Sequence, residues 1–280
     1  MAEVLAIRPA APASPAGDAV PAEPILHIAN VHKRFATGAG EIEALRAVDL
    51  AIRRGEFVCL IGASGCGKST LLRTIGGFET PSAGRVLIDG RPVTGPGPDR
   101  GMVFQDYGLF PWLTVRRNIG FGPSARGVPR TEVAAIAERF IAMIGLERFA
   151  EAYPHQLSGG MKQRVAIARV LANSAAVILM DEPFGALDAM TRERLQSELL
   201  AIWQATGLTV LFVTHAIEEA ILLADRIVVM SPGPGRITAD VPIRLPRPRD
   251  VASAPFNELR RNVSGLLQHG PASEVSSAIA

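Results

Sequence analysis

The sequence contains very few cysteines, which excludes several classes of protein. Cys59 and Cys66 are the only two in a chain of 280 residues. Their spacing does not match a metal-ligand pattern, and a disulfide scaffold is not expected in a chain of this length. Hydrophobic residues make up 48% of the chain, enough for a large core. We therefore expect a protein of a reducing compartment.

Long apolar runs and an excess of charge are missing too. No run approaches the ~20 residues that cross a bilayer. The formal net charge of +2 argues against general attraction to nucleic acid or anionic lipid. Residues 1–24 are rich in Ala and Pro but lack the features of a secretory signal, so we expect a disordered leader there. Lysine is scarce as well. Of the 29 lysine and arginine residues, only Lys33, Lys68 and Lys162 are lysines.

Short strand patterns alternate with helical ones along most of the chain, and this order predicts an α/β fold. Between 115 and 172 only helical spacing is found, which predicts a helical insertion. Further helices are expected near 189–205 and 215–224, and a short amphipathic one near the C-terminus that packs on its own domain. The strand patterns lie at 25–35, 41–52, 57–61, 86–93, 102–104, 177–180, 210–213 and 227–230.

A glycine-rich octet lies between a strand pattern and a helical one. It reads Gly62-Ala63-Ser64-Gly65-Cys66-Gly67-Lys68-Ser69 and fits G-x-x-x-x-G-K-[ST]. The glycines allow backbone N–H groups to turn inward around phosphates. Lys68 supplies a compact charge for the β- and γ-phosphates, and the Ser69 hydroxyl suits Mg²⁺. The octet therefore predicts a phosphate-binding loop, in which we expect Cys66 to be a spectator.

Two carboxylates, Asp181 and Glu182, end the apolar strand pattern that begins at Val177. The carboxyl ends of such strands form the edge where α/β folds bind ligands. Alone, two acids after a strand would be an ordinary loop start. Beside a phosphate-binding loop, they predict that Asp181 holds Mg²⁺ and that Glu182 polarises the attacking water as general base.

The octet Leu157–Arg164 reads Leu-Ser-Gly-Gly-Met-Lys-Gln-Arg and precedes an apolar helical pattern. Ser158 is a candidate N-cap, whose hydroxyl accepts a backbone N–H one turn on. Gly159 and Gly160 leave the helix start bare, which suits an anion. An ordinary capped helix is the simpler interpretation of this octet when it is taken alone.

Together these motifs resemble the nucleotide-binding subunit of an ATP-binding cassette (ABC) transporter. The resemblance implies an ABC ATPase domain over about 25–245, followed by a short tail at 246–280. Its fold class would be α/β, with a P-loop NTPase (RecA-like) core and an antiparallel β-subdomain. A helical insertion at about 108–172 would carry the Leu-Ser-Gly-Gly signature. ATP and Mg²⁺ would be the nucleotide and the metal.

The resemblance also implies roles for residues that carry no signal alone. Gln105 would be the Q-loop glutamine that touches Mg²⁺ and the membrane partner, and Ala186-Leu187-Asp188 would be the D-loop. His215 would be the switch histidine near the γ-phosphate, and Phe35 would stack on adenine. The implied catalytic residues are Lys68, Gln105, Glu182 and His215, and the nucleotide-binding ones are Phe35, residues 62–69, Thr70, Ser158, Gly159, Gly160 and Asp188. The metal ligands would be Ser69, Gln105 and Asp181.

A finer resemblance, to importers of the nitrate, sulfonate and taurine group, rests on residues 76–82, 99–101 and 105–115. Phe110 and Trp112 have two open interpretations. They either pack the insertion onto the core or line a groove that receives a helix of a membrane subunit. An exporter ATPase and a soluble cassette protein remain alternatives.

The importer resemblance implies a set of partners. They are a second, identical cassette, membrane permease subunits and, indirectly, a periplasmic solute-binding protein, without nucleic acid. The chain would then lie peripherally on the cytoplasmic face of the inner membrane.

Overall fold

The computed structural model describes residues 23–38, 40–104, 106–185 and 187–269. The predicted leader lies outside these ranges apart from Glu23 and Pro24. The strands of the described residues are β1 (Leu26–Thr37), β2 (Gly40–Ile52), β3 (Phe57–Gly62), β4 (Ala83–Ile88), β5 (Arg91–Pro92), β6 (Arg100–Val103), β7 (Val177–Asp181), β8 (Thr209–Val213), β9 (Arg226–Met230) and β10 (Ile237–Pro242). The helices there are α1 (Lys68–Gly76), α2 (Val115–Ala125), α3 (Arg130–Met143), α4 (Gly159–Ala172), α5 (Ala189–Thr206), α6 (Ile217–Leu223) and α7 (Ala254–His269).

The strands form two sheets. One is antiparallel with the order β2-β1-β4-β5, and the other has the order β10-β9-β3-β8-β7-β6. In the second sheet β9, β3, β8, β7 and β6 are parallel, and β10 pairs antiparallel with β9. The predicted α/β class is therefore confirmed. The edge strand β10 was missed, because its half-exposed residues include an aspartate and end in a proline, which are signals against a strand.

Helices α2, α3 and α4 lie between β6 and β7 and pack against one another. Two short 3₁₀ turns, Glu147–Phe149 and Pro154–Gln156, connect α3 to α4. The helical spacing predicted for this stretch is confirmed. The predicted C-terminal helix is α7, which packs on α6 and β9 and buries Phe256 and Val263 completely.

The parallel sheet has an apolar core on each face. Alternate residues of β3 point to opposite sides, so Phe57 and Cys59 join one core while Val58 and Leu60 join the other. The first core includes the buried faces of α2, α3 and α4, and the second lies under the antiparallel sheet and α1. A strand buried on both faces reads as a continuous apolar run, which is why β3 was recognisable.

Strand order decides where the chemistry is concentrated. Because β3, β8 and β7 are adjacent and parallel, their carboxyl ends meet at one sheet edge. The glycine-rich loop follows β3, Glu182 follows β7 and His215 follows soon after β8. None of the helices in the described ranges has both the length and the apolar character of a bilayer-spanning segment.

Candidate nucleotide-binding site

The loop between β3 and α1 ends at Gly67, the N-cap residue of α1, which has no side chain to cap the helix. Gly67 has φ 97°, in the left-handed region that favours glycine. A Cβ at this position would lie 2.8 Å from the Ala44 carbonyl oxygen and from Leu45 Cδ2 on β2, so the close approach of β2 also requires glycine. Within the described residues no side chain bonds the first amides of α1, so their N–H groups are available to an anion such as phosphate.

Lys68 lies inside this loop, and only 6% of it is exposed. Its ammonium group donates to the carbonyl oxygens of Gly62 at 2.8 Å and Ala63 at 2.9 Å. The charge is therefore held at one place within the loop, where it would meet a phosphate. Cys66 Sγ is 3.7 Å from Lys68 Nζ, and the Cys66 side chain packs into the apolar core. Ala63, Ser64 and Gly65 form the exposed part of the arch, and Thr70 is half-buried on α1.

Two side-chain oxygens that could ligate Mg²⁺ lie close together where α1 begins and β7 ends. Ser69 Oγ donates a hydrogen bond to Asp181 Oδ1 at 3.1 Å. Burial raises the pKa of the Asp181 carboxyl, the Ser69 hydrogen bond opposes that rise and nearby Glu182 adds to it. Hydroxyl and carboxylate oxygens are ligands that Mg²⁺ prefers, and a cation here would offset the cost of burying the carboxylate. The residues therefore fit the ion, while Gln105, the third predicted ligand, lies outside the described residues.

Glu182 and His215 are brought together from two adjacent strands. Glu182 has φ 45°, a left-handed conformation that costs a non-glycine residue on the order of 1–3 kcal/mol and is found mainly at functional sites. Its N–H donates to the Val213 carbonyl at 3.0 Å, which anchors it to the end of β8. Glu182 Oε2 lies 3.1 Å from His215 Nδ1, and both side chains remain open to solvent. In this arrangement the Glu182 carboxylate can accept a proton from water, and His215 can stabilise the charge that develops.

The signature octet begins α4, as the capping pattern predicts. Ser158 is the N-cap residue, and its Oγ accepts the Met161 N–H at 3.3 Å. Gly159 and Gly160 follow without side chains, so the first turn presents bare backbone N–H groups. The local geometry of an anion site is therefore present at this helix start.

The two signature glycines also allow α4 and the D-loop segment to approach. A Cβ on Gly159 would lie 3.2 Å from Leu187 Cδ2, and one on Gly160 would lie 3.2 Å from Thr191 Cγ2. Asp188 caps α5, with Oδ1 accepting the Thr191 N–H at 3.0 Å. That backbone hydrogen bond lowers the pKa of the Asp188 carboxyl. The nucleotide role of Asp188 stays a prediction, and Ala186 lies outside the described residues.

Phe35 is half-buried on β1, opposite Ile42 of β2. The same β2 strand passes the phosphate loop at Ala44, which places the hairpin beside the loop. Lys33 Nζ lies 4.7 Å from the centre of the Phe35 ring and is held there by Glu79 at 2.8 Å. A base that stacks on Phe35 therefore needs the other face of the ring or must displace Lys33. Adenine stacking here remains a prediction.

Comparison with known proteins identifies the family. The family model described as ABC transporter matches residues 45–185. The chain is 46% identical over 264 residues to the nitrate import ATP-binding protein NrtD of Synechocystis sp., covering 91% of this chain and 99% of that protein. The chain belongs to the ABC transporter family. It is also 48% identical over 213 residues to the taurine import ATP-binding protein TauB of Roseobacter denitrificans, covering 76% and 80% of the two chains.

A solved ABC cassette has the same fold. The ATP-binding cassette MJ0796, solved as a dimer bound to ADP and Pi, is 36% identical, with a TM-score of 0.68 over 79% of this chain and 99% of that one. The family resemblance, the P-loop NTPase fold class and the assignment as an ATPase subunit are thereby confirmed. The predicted roles of individual site residues stay predictions, although the structure brings Ser69 to Asp181 and Glu182 to His215.

Sequence reasoning missed several residues that hold this ABC ATPase site in place. Glu219 on α6 is buried and bonds Gln196 on α5. Arg247 and Arg249, beyond the predicted domain end, donate to carbonyl oxygens at the end of α6. No local signal in the sequence separates the buried Glu219 from the exposed Glu218 beside it. The arginines gave no local signal, because their partners are distant in sequence.

Proposed function

We propose that this chain is the energy-coupling ATPase of a bacterial importer for nitrate, taurine, a sulfonate or a similar small solute. The observation that carries the proposal is the pairing of Glu182 with His215 at 3.1 Å, next to the Ser69–Asp181 pair. Such an arrangement fits hydrolysis of a nucleoside triphosphate. The similarity to nitrate and taurine import subunits supports import and a small anionic or zwitterionic solute.

Each group near the sheet edge has one task in this proposal. The N–H groups of the loop before α1 and the ammonium of Lys68 bind and orient the phosphates of ATP. Ser69 and Asp181, with Gln105, would hold Mg²⁺, which would neutralise charge on the phosphates. Glu182 accepts a proton from the attacking water, and His215 orients the Glu182 carboxylate and stabilises the charge that develops.

Two copies of the chain would form the working unit. The signature turn has the geometry of an anion site, yet within the described residues it bonds to Met161 and packs on α5 rather than on the phosphate loop. A second copy, related head to tail, would place Ser158 and Gly160 against the nucleotide held by the first copy's Lys68. The dimeric arrangement of the similar cassette MJ0796 supports this assembly.

An aromatic surface on the helical insertion suits the permease. Phe110 packs against Phe121 with the rings tilted and their centres 4.4 Å apart, and Trp112 lies against Phe110 with ring centres 5.7 Å apart. Trp112 is 69% exposed and Phe121 is 44% exposed. Beside them is a groove of about 350 Å³ between α2 and α3, which includes Phe121 and Val133 in its lining. Phe110 therefore packs within the insertion, while Trp112 and Phe121 are left for an amphipathic helix of the permease.

This docking would keep the chain on the cytoplasmic face of the inner membrane. A periplasmic solute-binding protein would then act only through the permease.

Transport in proteoliposomes tests the proposal: the chain is reconstituted with the permease subunits that copurify with it, and ATP-driven uptake of nitrate and of taurine is measured. We expect accumulation of one solute that requires ATP and the binding protein. Export of solute, or copurification with ribosomes and without a permease, would overturn the importer assignment.

A further inference from the structure

Glu219 is a buried carboxylate that the catalytic scheme above does not use. It lies on α6 and is only 6% exposed. Its Oε1 accepts a hydrogen bond from Gln196 Nε2 on α5 at 2.8 Å, and Gln196 is itself 7% exposed. Burial raises the pKa of the Glu219 carboxyl, and hydrogen bonding to Thr214 and Gln196 opposes that rise. Because a buried polar pair is costly to break, it holds α5 and α6 in one relative position.

On one side, this pair is tied to the segment that carries the switch histidine. Thr214, which immediately precedes His215, is buried, and its Oγ1 accepts the Ala216 N–H at 3.0 Å. His215 in turn lies 3.1 Å from Glu182. A shift of α6 therefore changes where His215 lies relative to the general base.

On the other side, α5 is tied to the D-loop and to the signature. Arg192 donates to the Leu187 carbonyl oxygen at 2.8 Å, which fixes the D-loop to the first turns of α5. Thr191, in the first turn, lies 3.2 Å from the position of a Cβ on Gly160. The first turn of α5 therefore lies close to Gly160 at the start of α4, so a displacement of α5 changes the surroundings of the signature.

We propose that Glu219 is a positioning residue that couples the two half-sites carried by one chain. One half-site is His215 with Glu182, which act on the chain's own nucleotide. The other is the signature at Ser158, which serves the nucleotide of the second copy; the inference rests on the two-cassette assembly proposed above. When ATP repositions His215, the hydrogen bond to Gln196 transmits the change to α5 and from there to the signature.

Steady-state ATPase kinetics of Glu219→Ala are the first test. We expect kcat to fall about tenfold or more, the size of a typical coupling between sites. KM for ATP should change less than about twofold, because the phosphate loop is untouched, and cooperativity in ATP should be lost. Glu218→Ala is the matched control, because Glu218 is the neighbouring carboxylate and bonds Arg260 at the surface. It should behave like the wild type, and a Glu219→Ala variant with near-wild-type kcat would overturn the proposal.

An exchange of the pair separates positioning from mere packing. Gln196→Glu alone places two carboxylates against each other and should lose kcat as Glu219→Ala does. Combining Gln196→Glu with Glu219→Gln restores a donor–acceptor pair and should recover most of the activity. If the double variant is folded but no more active than Gln196→Glu, the hydrogen bond does not carry the coupling.

Hydrogen exchange of the nucleotide-free chain gives a readout that needs no turnover. Glu219→Ala should raise amide exchange both at 214–217 and at 187–191, whereas Glu218→Ala should raise it at neither. A rise confined to 214–217 would show that α5 does not follow α6, and would overturn the coupling whatever the transport assay gives. If the coupling holds but no solute is transported, only the importer assignment fails.

Discussion

The carboxylate of Glu182 and the imidazole of His215 lie 3.1 Å apart, although each follows a different strand of the sheet. Neither residue could be assigned from its own surroundings in the sequence. Their contact results from the adjacency of β7 and β8, which brings the two strand ends to the same edge. The register that pairs Asp181 with Val213 fixes the two loops at the same level.

Replacing the general base should separate ATP binding from hydrolysis. Glu182→Gln keeps the size of the side chain but removes the proton acceptor, so kcat should fall by about 10²- to 10⁴-fold. The affinity for ATP should be retained, because Lys68 and the loop before α1 are unchanged. Steady-state ATPase and equilibrium nucleotide binding measure the two quantities. ATPase activity near that of the wild type would rule out Glu182 as the base.

The signature can be tested without damaging its helix cap. Ser158→Asp and Ser158→Asn both cap a helix well, but only the aspartate adds a negative charge where a phosphate is expected. We expect Ser158→Asp to lose ATP-driven dimerisation and turnover, while Ser158→Asn retains more of both. Light scattering with and without ATP measures the dimer. Both variants should bind ATP as monomers like the wild type, and weaker binding would assign the octet to the chain's own pocket.

The aromatic surface of the insertion should matter for the permease and not for stability. Trp112 is 69% exposed, so Trp112→Ala should change the free energy of unfolding by less than about 0.5 kcal/mol. The ATPase activity of the isolated chain should also be unchanged. Copurification with the permease should be lost. Phe149→Ala, an exposed aromatic outside the groove, is the control, and equal permease binding by both variants would place the docking surface elsewhere.

Arg249 should make a measurable contribution to stability. Its guanidinium donates to the carbonyl oxygens of Ile221 at 2.5 Å and Ala224 at 2.6 Å, at the end of α6. Partial burial and the nearby Arg247 lower the pKa of Arg249 to about 10. Arg249→Met leaves these carbonyls without a donor and should cost about 1–3 kcal/mol.

Urea unfolding measures that cost, with the exposed Arg261→Met as the control. A difference of less than about 0.5 kcal/mol between the two variants would mean that water replaces the arginine at the helix end.

Local patterns were enough to predict the phosphate loop and the helix cap at Ser158. Both depend on residues within one turn of each other, so the sequence carries the full signal. The pairing of Glu219 with Gln196 could not be predicted in this way, because it depends on how α5 and α6 pack. A single carboxylate in a helix usually faces solvent, and nothing beside Glu219 reveals that this one is buried.

The same distinction explains the edge strand and the C-terminal helix. The spacing of Phe256 and Val263 predicts an amphipathic helix, since one apolar face needs no long-range information. Strand β10 contains Asp240 and ends at Pro242, so its place depends on the edge position beside β9 rather than on its own residues. The type of an element was therefore predictable where its own residues are periodic. It was not predictable where pairing with an adjacent strand determines it.

Arg247 and Arg249, which bond the end of α6, also determine the shortest fragment of this protein that we expect to fold. The family match ends at residue 185, and the predicted domain ends at residue 245. Arg247 and Arg249 lie beyond both limits, and Phe256 supplies part of the core further on. A fragment that ends at residue 185 would lack α6 itself, and one that ends at residue 245 would keep α6 without the two arginines and α7 that pack against it. C-terminal truncations and fusions should therefore be placed after His269.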